Sequence, residues 1–189
     1  MSIRPSVAAL FALFFVLPLA AEPRIESLSA VTNSSGAVTV RFALADAFRD
    51  HHTVQALQSG LPTSFTYVLE MYRDRPRWFD EGIGRSRIEV IATFNSLTRE
   101  YLLNYRRDRK LVRSETFSDL DALQKRMTTI DEPSLFDLGK RPAHKVKVRV
   151  KADFGRGFLL YVIPWKISTR WREVRVGTTG AADVPARAK

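Results

Sequence analysis

The 189-residue chain carries 30 Lys and Arg against 20 Asp and Glu, a formal charge of +10, so its surface should attract anions. It has no cysteine, which excludes disulfides, thiol catalysis, Cys-based zinc sites and a lipid-modified cysteine. Apolar and charged fractions of 45% and 26% are those of a globular chain, and the length suits one domain with a real core.

Residues 1–21 read as a secretory signal and are kept out of the fold. Arg4 and the amino terminus form a positive n-region, Val7 to Leu17 is an unbroken apolar h-region, and Pro18-Leu-Ala-Ala21 ends on a small residue before Glu22. The apolar run is shorter than the roughly 20 residues a spanning helix needs. The expectation is therefore a cleaved signal and a periplasmic protein, the alternative being an uncleaved amino-terminal anchor in the inner membrane. Residues 22–176 are expected to form a single β-rich domain, soluble or peripheral, and Gly177 to Lys189 a flexible tail.

Arg24 to Val31 and Ala37 to Leu44 flank Asn33-Ser-Ser-Gly36, the turn chemistry of a hairpin. Asp50 then offers an N-cap to a short helix carrying Val54, Leu57 and Leu61, which Gly60 and Pro62 end. From Thr63 the period returns to two, with Phe65, Tyr67, Leu69 and Met71 on one face of a strong strand. Arg73 to Gly84 reads as a surface loop carrying Trp78 and Phe79. Ile88 to Phe94, Tyr101 to Tyr105 and Leu111 to Phe117 make a three-strand meander, turned at Asn95-Ser-Leu-Thr98 and at Arg106 to Lys110.

Ser118 is the expected cap of a second helix, whose apolar stripe is Leu120, Leu123 and Met127, with Asp121 in its first turn. Ile130 to Pro142, with two prolines, reads as a loop. The stretch from Ala143 to Asp153 alternates strictly: Val146, Val148 and Val150 share one face, and Lys145, Lys147, Arg149 and Lys151 the other. Like charges about 6.8 Å apart along a strand must face water or something anionic. An edge position, where lysines discourage pairing with other chains, is the plain structural explanation. Phe158 to Ile163 does not alternate and should be covered on both faces. Roughly eight short strands and two short helices indicate a mainly β (α+β) fold, an antiparallel two-layer β-sandwich, or else a single curved sheet with both helices on one face.

Phe42-Ala-Leu44, Ala56-Leu-Gln-Ser-Gly-Leu-Pro62, Phe65-Thr-Tyr-Val-Leu-Glu-Met-Tyr-Arg73 with Trp78, and Phe94-Asn-Ser-Leu-Thr-Arg-Glu-Tyr101 resemble an uncharacterised family of exported proteobacterial proteins built around a domain of unknown function. The resemblance covers Arg24 to Met127. It implies a periplasmic β-rich protein whose relatives look like neighbours of sensor histidine kinases, and it implies no catalytic residues.

The residues themselves nominate a docking surface. Lys145, Lys147, Arg149 and Lys151, supported by Arg106 and Arg109 on the meander, would meet an anionic lipid, a lipopolysaccharide or an acidic protein surface. Nucleic acid would satisfy the same charge but is at odds with export. Trp78, Trp165 and Trp171, each near Arg or Lys, are candidates for a ligand or partner groove, with core packing or cation–π cover as the plainer explanation. His51, His52 and His144 are not at metal-ligand spacing, no Gly-x-Ser-x-Gly elbow or phosphate loop occurs, and neither a metal nor a cofactor is expected. The expected function is non-enzymatic: a periplasmic binding or accessory protein. The alternatives are an envelope polysaccharide or cell-wall hydrolase using Glu70, Asp80 or Glu81, and an interaction module for a membrane sensor kinase.

Overall fold

The computed structural model describes residues 22–75, 79–159 and 163–178. In chain order the elements are β1 (Arg24–Thr32), β2 (Ala37–Ala45), α1 (His51–Gln58), β3 (Thr63–Arg73), β4 (Glu81–Asn95), β5 (Glu100–Arg107) and β6 (Lys110–Phe117). There follow α2 (Leu120–Thr128), β7 (Thr129–Asp137), a 3-10 turn (Ala143–Lys145), β8 (Val146–Leu159), β9 (Ile163–Ser168), β10 (Arg172–Arg175) and β11 (Gly177–Thr178). The amino-terminal segment 1–21, Trp78, residues 160–162 of the apolar run and residues 179–189 of the tail lie outside the described residues.

Two sheets form. One has the order β11-β1-β2-β7; the other has the order β10-β8-β3-β4-β5-β6, with β9 pairing the far half of β8. Every pairing is antiparallel except the short β1–β11 contact. The period-two pattern explains the layering, because the inner faces carry the apolar residues. Val38, Val40, Phe42 and Leu44 of the smaller sheet share one core with Phe65, Tyr67, Leu69, Met71, Ile88, Val90, Leu103 and the valines of β8. Phe42 meets Tyr67 edge to face across the layers, with centroids 5.1 Å apart. The fold is thus mostly β, with antiparallel sheets packed as two layers and not closed into a barrel.

Both helices plug the core. Leu57 of α1 and Leu123 and Met127 of α2 are fully buried, and the Tyr67 hydroxyl donates to the Met127 carbonyl at 2.7 Å. Asp50 caps α1 as expected, accepting from the His52 amide. The helix stops at Gln58. The Leu61 N–H bonds the Ala56 carbonyl and the Gly60 N–H the Leu57 carbonyl, with Gly60 at φ +85°, a Schellman ending that turns Leu61 out to solvent. Among the described residues no helix is long and apolar enough to cross a membrane.

Several expectations are corrected. Ile130 to Pro142 is not all loop: β7 pairs with β2 along the edge of the smaller sheet. Pro133 fits there because an edge strand can spare an N–H and because the register shifts opposite Val38 and Val40, with Ser134 at φ +52°. The Arg73 to Gly84 loop is shorter than expected, since β4 begins at Glu81 and Gly84 pairs with Met71. Asp119, not Ser118, caps α2, accepting from the Ala122 amide at 2.8 Å. The tail's first residues are strand: β11 pairs Gly177 with Val31, so the chain steps from the larger sheet to the smaller through buried Val176.

Candidate anion-binding cleft

The cationic stretch is a strand with its valines inward: Val146, Val148 and Val150 are completely buried. It is not an edge. β8 lies between β10 and β3, and Lys145 precedes it in the 3-10 turn. What its cations face is the protein's own carboxylates. Register places Glu173 of β10 beside Arg149, Arg149 beside Glu70 of β3, and Glu70 beside Arg85 of β4, an alternating row across four strands. Arg149 grips Glu70 through two nitrogens, Nη2 at 2.6 Å and Nε at 2.8 Å. Lys151 reaches Asp153 at 3.4 Å. Opposite charges on directly facing residues stabilise a sheet, where like charges would oppose it.

Trp171 covers this row. The Arg149 guanidinium sits 4.8 Å from its ring centroid and the Lys151 ammonium 5.3 Å, while Arg149 also lies 5.1 Å from the Tyr72 ring. The indole is therefore cation–π cover for two charges that already have carboxylate partners. Trp165 pairs by backbone with Gly157 in the β8–β9 hairpin, and Trp78 lies outside the described residues. Arg106 and Arg109 are exposed at the β5–β6 end of the sheet. There Asp108 organises a separate small cavity by accepting from Ser86 and from the Arg87 amide.

Basic residues converge elsewhere, where β3 ends, β8 begins and β10 ends. Register sets Arg73 opposite Val146, Lys147 opposite Tyr72, and Arg175 opposite Lys147. The result is a cleft of about 540 Å³ lined by Arg73, Arg75, His144, Lys145, Lys147 and Arg175, with Asp74 as its one acid among the described residues. Lys147 is clamped by Asp74 at 3.0 Å and Glu173 at 3.4 Å, and these contacts, the Asp74 hydrogen bond first, raise its ammonium pKa. Glu173 in turn accepts from the Tyr72 hydroxyl at 2.6 Å. That bond and the Lys147 charge hold its carboxyl below the usual range. Burial, the Glu173 bond and its charge push the Tyr72 phenol up.

Glu81 holds Arg75 through a hydrogen-bonded ion pair and lies 3.6 Å from Arg73 Nη1. Arg73 Nε is buried with no hydrogen-bond partner among the described residues. Lys145 and Arg175 are exposed, and neither side chain has an ion-pair or hydrogen-bond partner among the described residues. Five cations thus meet three carboxylates, Asp74, Glu81 and Glu173, which leaves a surplus of two positive charges at one place.

Of the residues nominated from sequence, the cleft gathers Lys145 and Lys147 and leaves Arg149, Lys151, Arg106, Arg109 and Trp171 outside. Arg73, Arg75, His144 and Arg175 were not nominated. No sequence signal marks them, because only strand order brings residues so far apart in the chain to one end of a sheet. The loop carboxylates are engaged or exposed: Glu70 is gripped by Arg149, Glu81 pairs with Arg75, and Asp80 is exposed beside a second cavity of about 440 Å³ that Glu70 also lines.

Fold and cleft together define a class: a mostly β, two-layer antiparallel domain with two core-plugging helices and a cationic notch at one end of its larger sheet. A family model described as a domain of unknown function, DUF4390, matches residues 20–174, and the chain belongs to that family. The match extends well past Met127, through β8 and most of β10. No curated protein and no solved structure matches the chain.

Proposed function

We propose that this is a non-enzymatic binding or accessory protein of the bacterial periplasm, which holds an anionic component of the envelope in the cleft formed by Arg73, Arg75, Lys145, Lys147 and Arg175. The observation that carries the reading is the uncompensated charge: the side chains of Lys145 and Arg175 are exposed with no partner among the described residues, beside cations already fixed in place. Charges that face carboxylates of their own sheet, as Arg149 does, have little left to offer a ligand. The amino-terminal signal pattern supports an envelope address, and a lipid headgroup or lipopolysaccharide supplies anions there.

Co-sedimentation with phosphatidylglycerol vesicles at low ionic strength tests the reading. Each surplus Lys or Arg near an anionic membrane contributes about 1 kcal/mol, so replacing both Lys145 and Arg175 by glutamine should weaken binding about thirty-fold. Raising the salt should weaken it further. Lys151→Gln, which removes a charge outside the cleft, should leave binding close to that of the unaltered chain. Equal loss in Lys151→Gln and in the cleft variant would mean that charge acts diffusely and the cleft is not the site.

A further inference from the structure

The geometry points to a phosphate monoester as the group this cleft receives, an assignment that rests on the anion-binding reading above and sharpens it. Charge gives the first argument. A phosphomonoester carries about −1.5 to −2 near neutral pH, which matches the surplus of two; a phosphodiester or a carboxylate carries one charge and would leave the cleft half neutralised.

Donor geometry gives the second. Arg73 comes from the end of β3, Lys145 from the 3-10 turn just before β8, Lys147 from the start of β8, and Arg175 from the end of β10, so the donors approach from separate directions. A carboxylate offers two coplanar oxygens, whereas a phosphate monoester offers three in a tetrahedral arrangement, each able to accept from a different direction. Arg73 is the most telling donor. Its Nη1 leans on Glu81 while its buried Nε–H has no acceptor among the described residues. A guanidinium in that state can give two parallel N–H bonds to one phosphate, an option a lysine lacks. A buried donor left without an acceptor is costly, and an oxygen brought to it would remove that cost.

Size gives the third. At about 540 Å³ the cleft is far larger than a bare phosphate, so it has room for part of the alcohol that bears the ester. The bearer could be a lipid or a soluble molecule, and both share the recognised chemistry.

The test compares vesicles of phosphatidylcholine doped with phosphatidic acid, a monoester, against vesicles doped with phosphatidylglycerol, a diester, at matched surface charge. Glucose 1-phosphate serves as a soluble monoester in a calorimetric titration. The full chain should prefer phosphatidic acid by tenfold or more. Arg73→Lys, which keeps the charge but loses the fork, should abolish that preference. Lys145→Gln, at an exposed position that folding does not need, should weaken both. Saturable binding of glucose 1-phosphate that Arg73→Lys removes would place the source among soluble esters; preference confined to vesicles would place it in the membrane. Equal binding of the two vesicle types, or an Arg73→Lys chain that keeps the preference, overturns the monoester assignment while the anion reading stands. Failure to bind either vesicle or the soluble ester overturns both.

Discussion

Glu173 and Glu115 show what single side chains contribute here. Glu173 is held ionised first by the Tyr72 hydroxyl and then by Lys147; Glu115 is held so first by hydrogen bonds from Arg126, with Nη2 at 3.0 Å, and then by that guanidinium's charge and Arg113. Both carboxyls therefore bind a proton less readily folded than unfolded. The unfolded chain takes up more protons in acid, so the stabilisation is complete above the ordinary glutamate value of about 4.3 and is lost as pH falls through the lower folded value. Both groups are partly exposed, and such pairs contribute about 0–1 kcal/mol each. Urea unfolding followed from pH 6 down to pH 3 should show stability falling below about pH 4. The double variant Glu173→Gln and Glu115→Gln should be less stable at pH 6 and should fall less steeply in acid.

At the scale of elements, one buried carboxylate stitches the smaller sheet to the larger. Glu132 of β7 is 3% exposed and accepts from the Tyr105 hydroxyl of β5 at 2.5 Å and from Arg107 at 3.2 Å, with Arg113 of β6 at 3.7 Å. Arg113 also lies 3.9 Å from the Tyr105 ring centroid. Burial and the Glu132 bond push the Tyr105 phenol up, so it stays a donor throughout the ordinary pH range. Removing one member of a buried ionic network strands the others, at a cost of about 3–5 kcal/mol. Glu132→Ala should lose about that much in chemical denaturation, and Glu132→Gln distinctly less, because an amide oxygen still accepts from Tyr105. Equal losses in the two would show that the site needs the negative charge, and that neither volume nor an acceptor oxygen suffices. The same residue illustrates why β7 was unreadable as a strand. Its sequence, Thr-Ile-Asp-Glu-Pro-Ser-Leu-Phe-Asp, alternates poorly because the register shift beside Pro133 breaks the period, and only the pairing with β2 shows that the breaks fall on one edge.

For the whole molecule, the distance between layers is set partly by a glycine. A Cβ on Gly84 of β4 would stand 3.0 Å from Phe136 Cδ1 of β7, whereas one on Gly82 would meet nothing within 4 Å. Phe136 belongs to the shared core and is 8% exposed, so its ring has little space to retreat. Overpacking of this kind costs about 1–3 kcal/mol. Gly84→Val should lower the thermal midpoint by several degrees, while Gly82→Val should leave it nearly unchanged. The cationic notch is likewise a property of the whole. Arg73 and Arg175 lie 102 positions apart in the chain, yet β3, β8 and β10 end side by side.

Alternation alone determined the strands that dominate the fold, because in β3 and β8 every second side chain had to be apolar for one face to be buried, and Phe65 to Met71 and Val146 to Val150 are buried as that rule demands. Caps and turns were legible for the same local reason: Asp50, Gly60 and Asn33 act on atoms within a few residues of themselves. What the outward side chains meet is a different matter. Whether Arg149 faces solvent or Glu70, and whether Lys145 stands alone or among four other cations, depends on which strands are neighbours and in what register. Strand order is decided by long-range pairing that leaves no periodic trace in the chain. The valines of β8 could thus be assigned from the sequence, while the cations between them received their partners, and the cleft its shape, only from the tertiary structure.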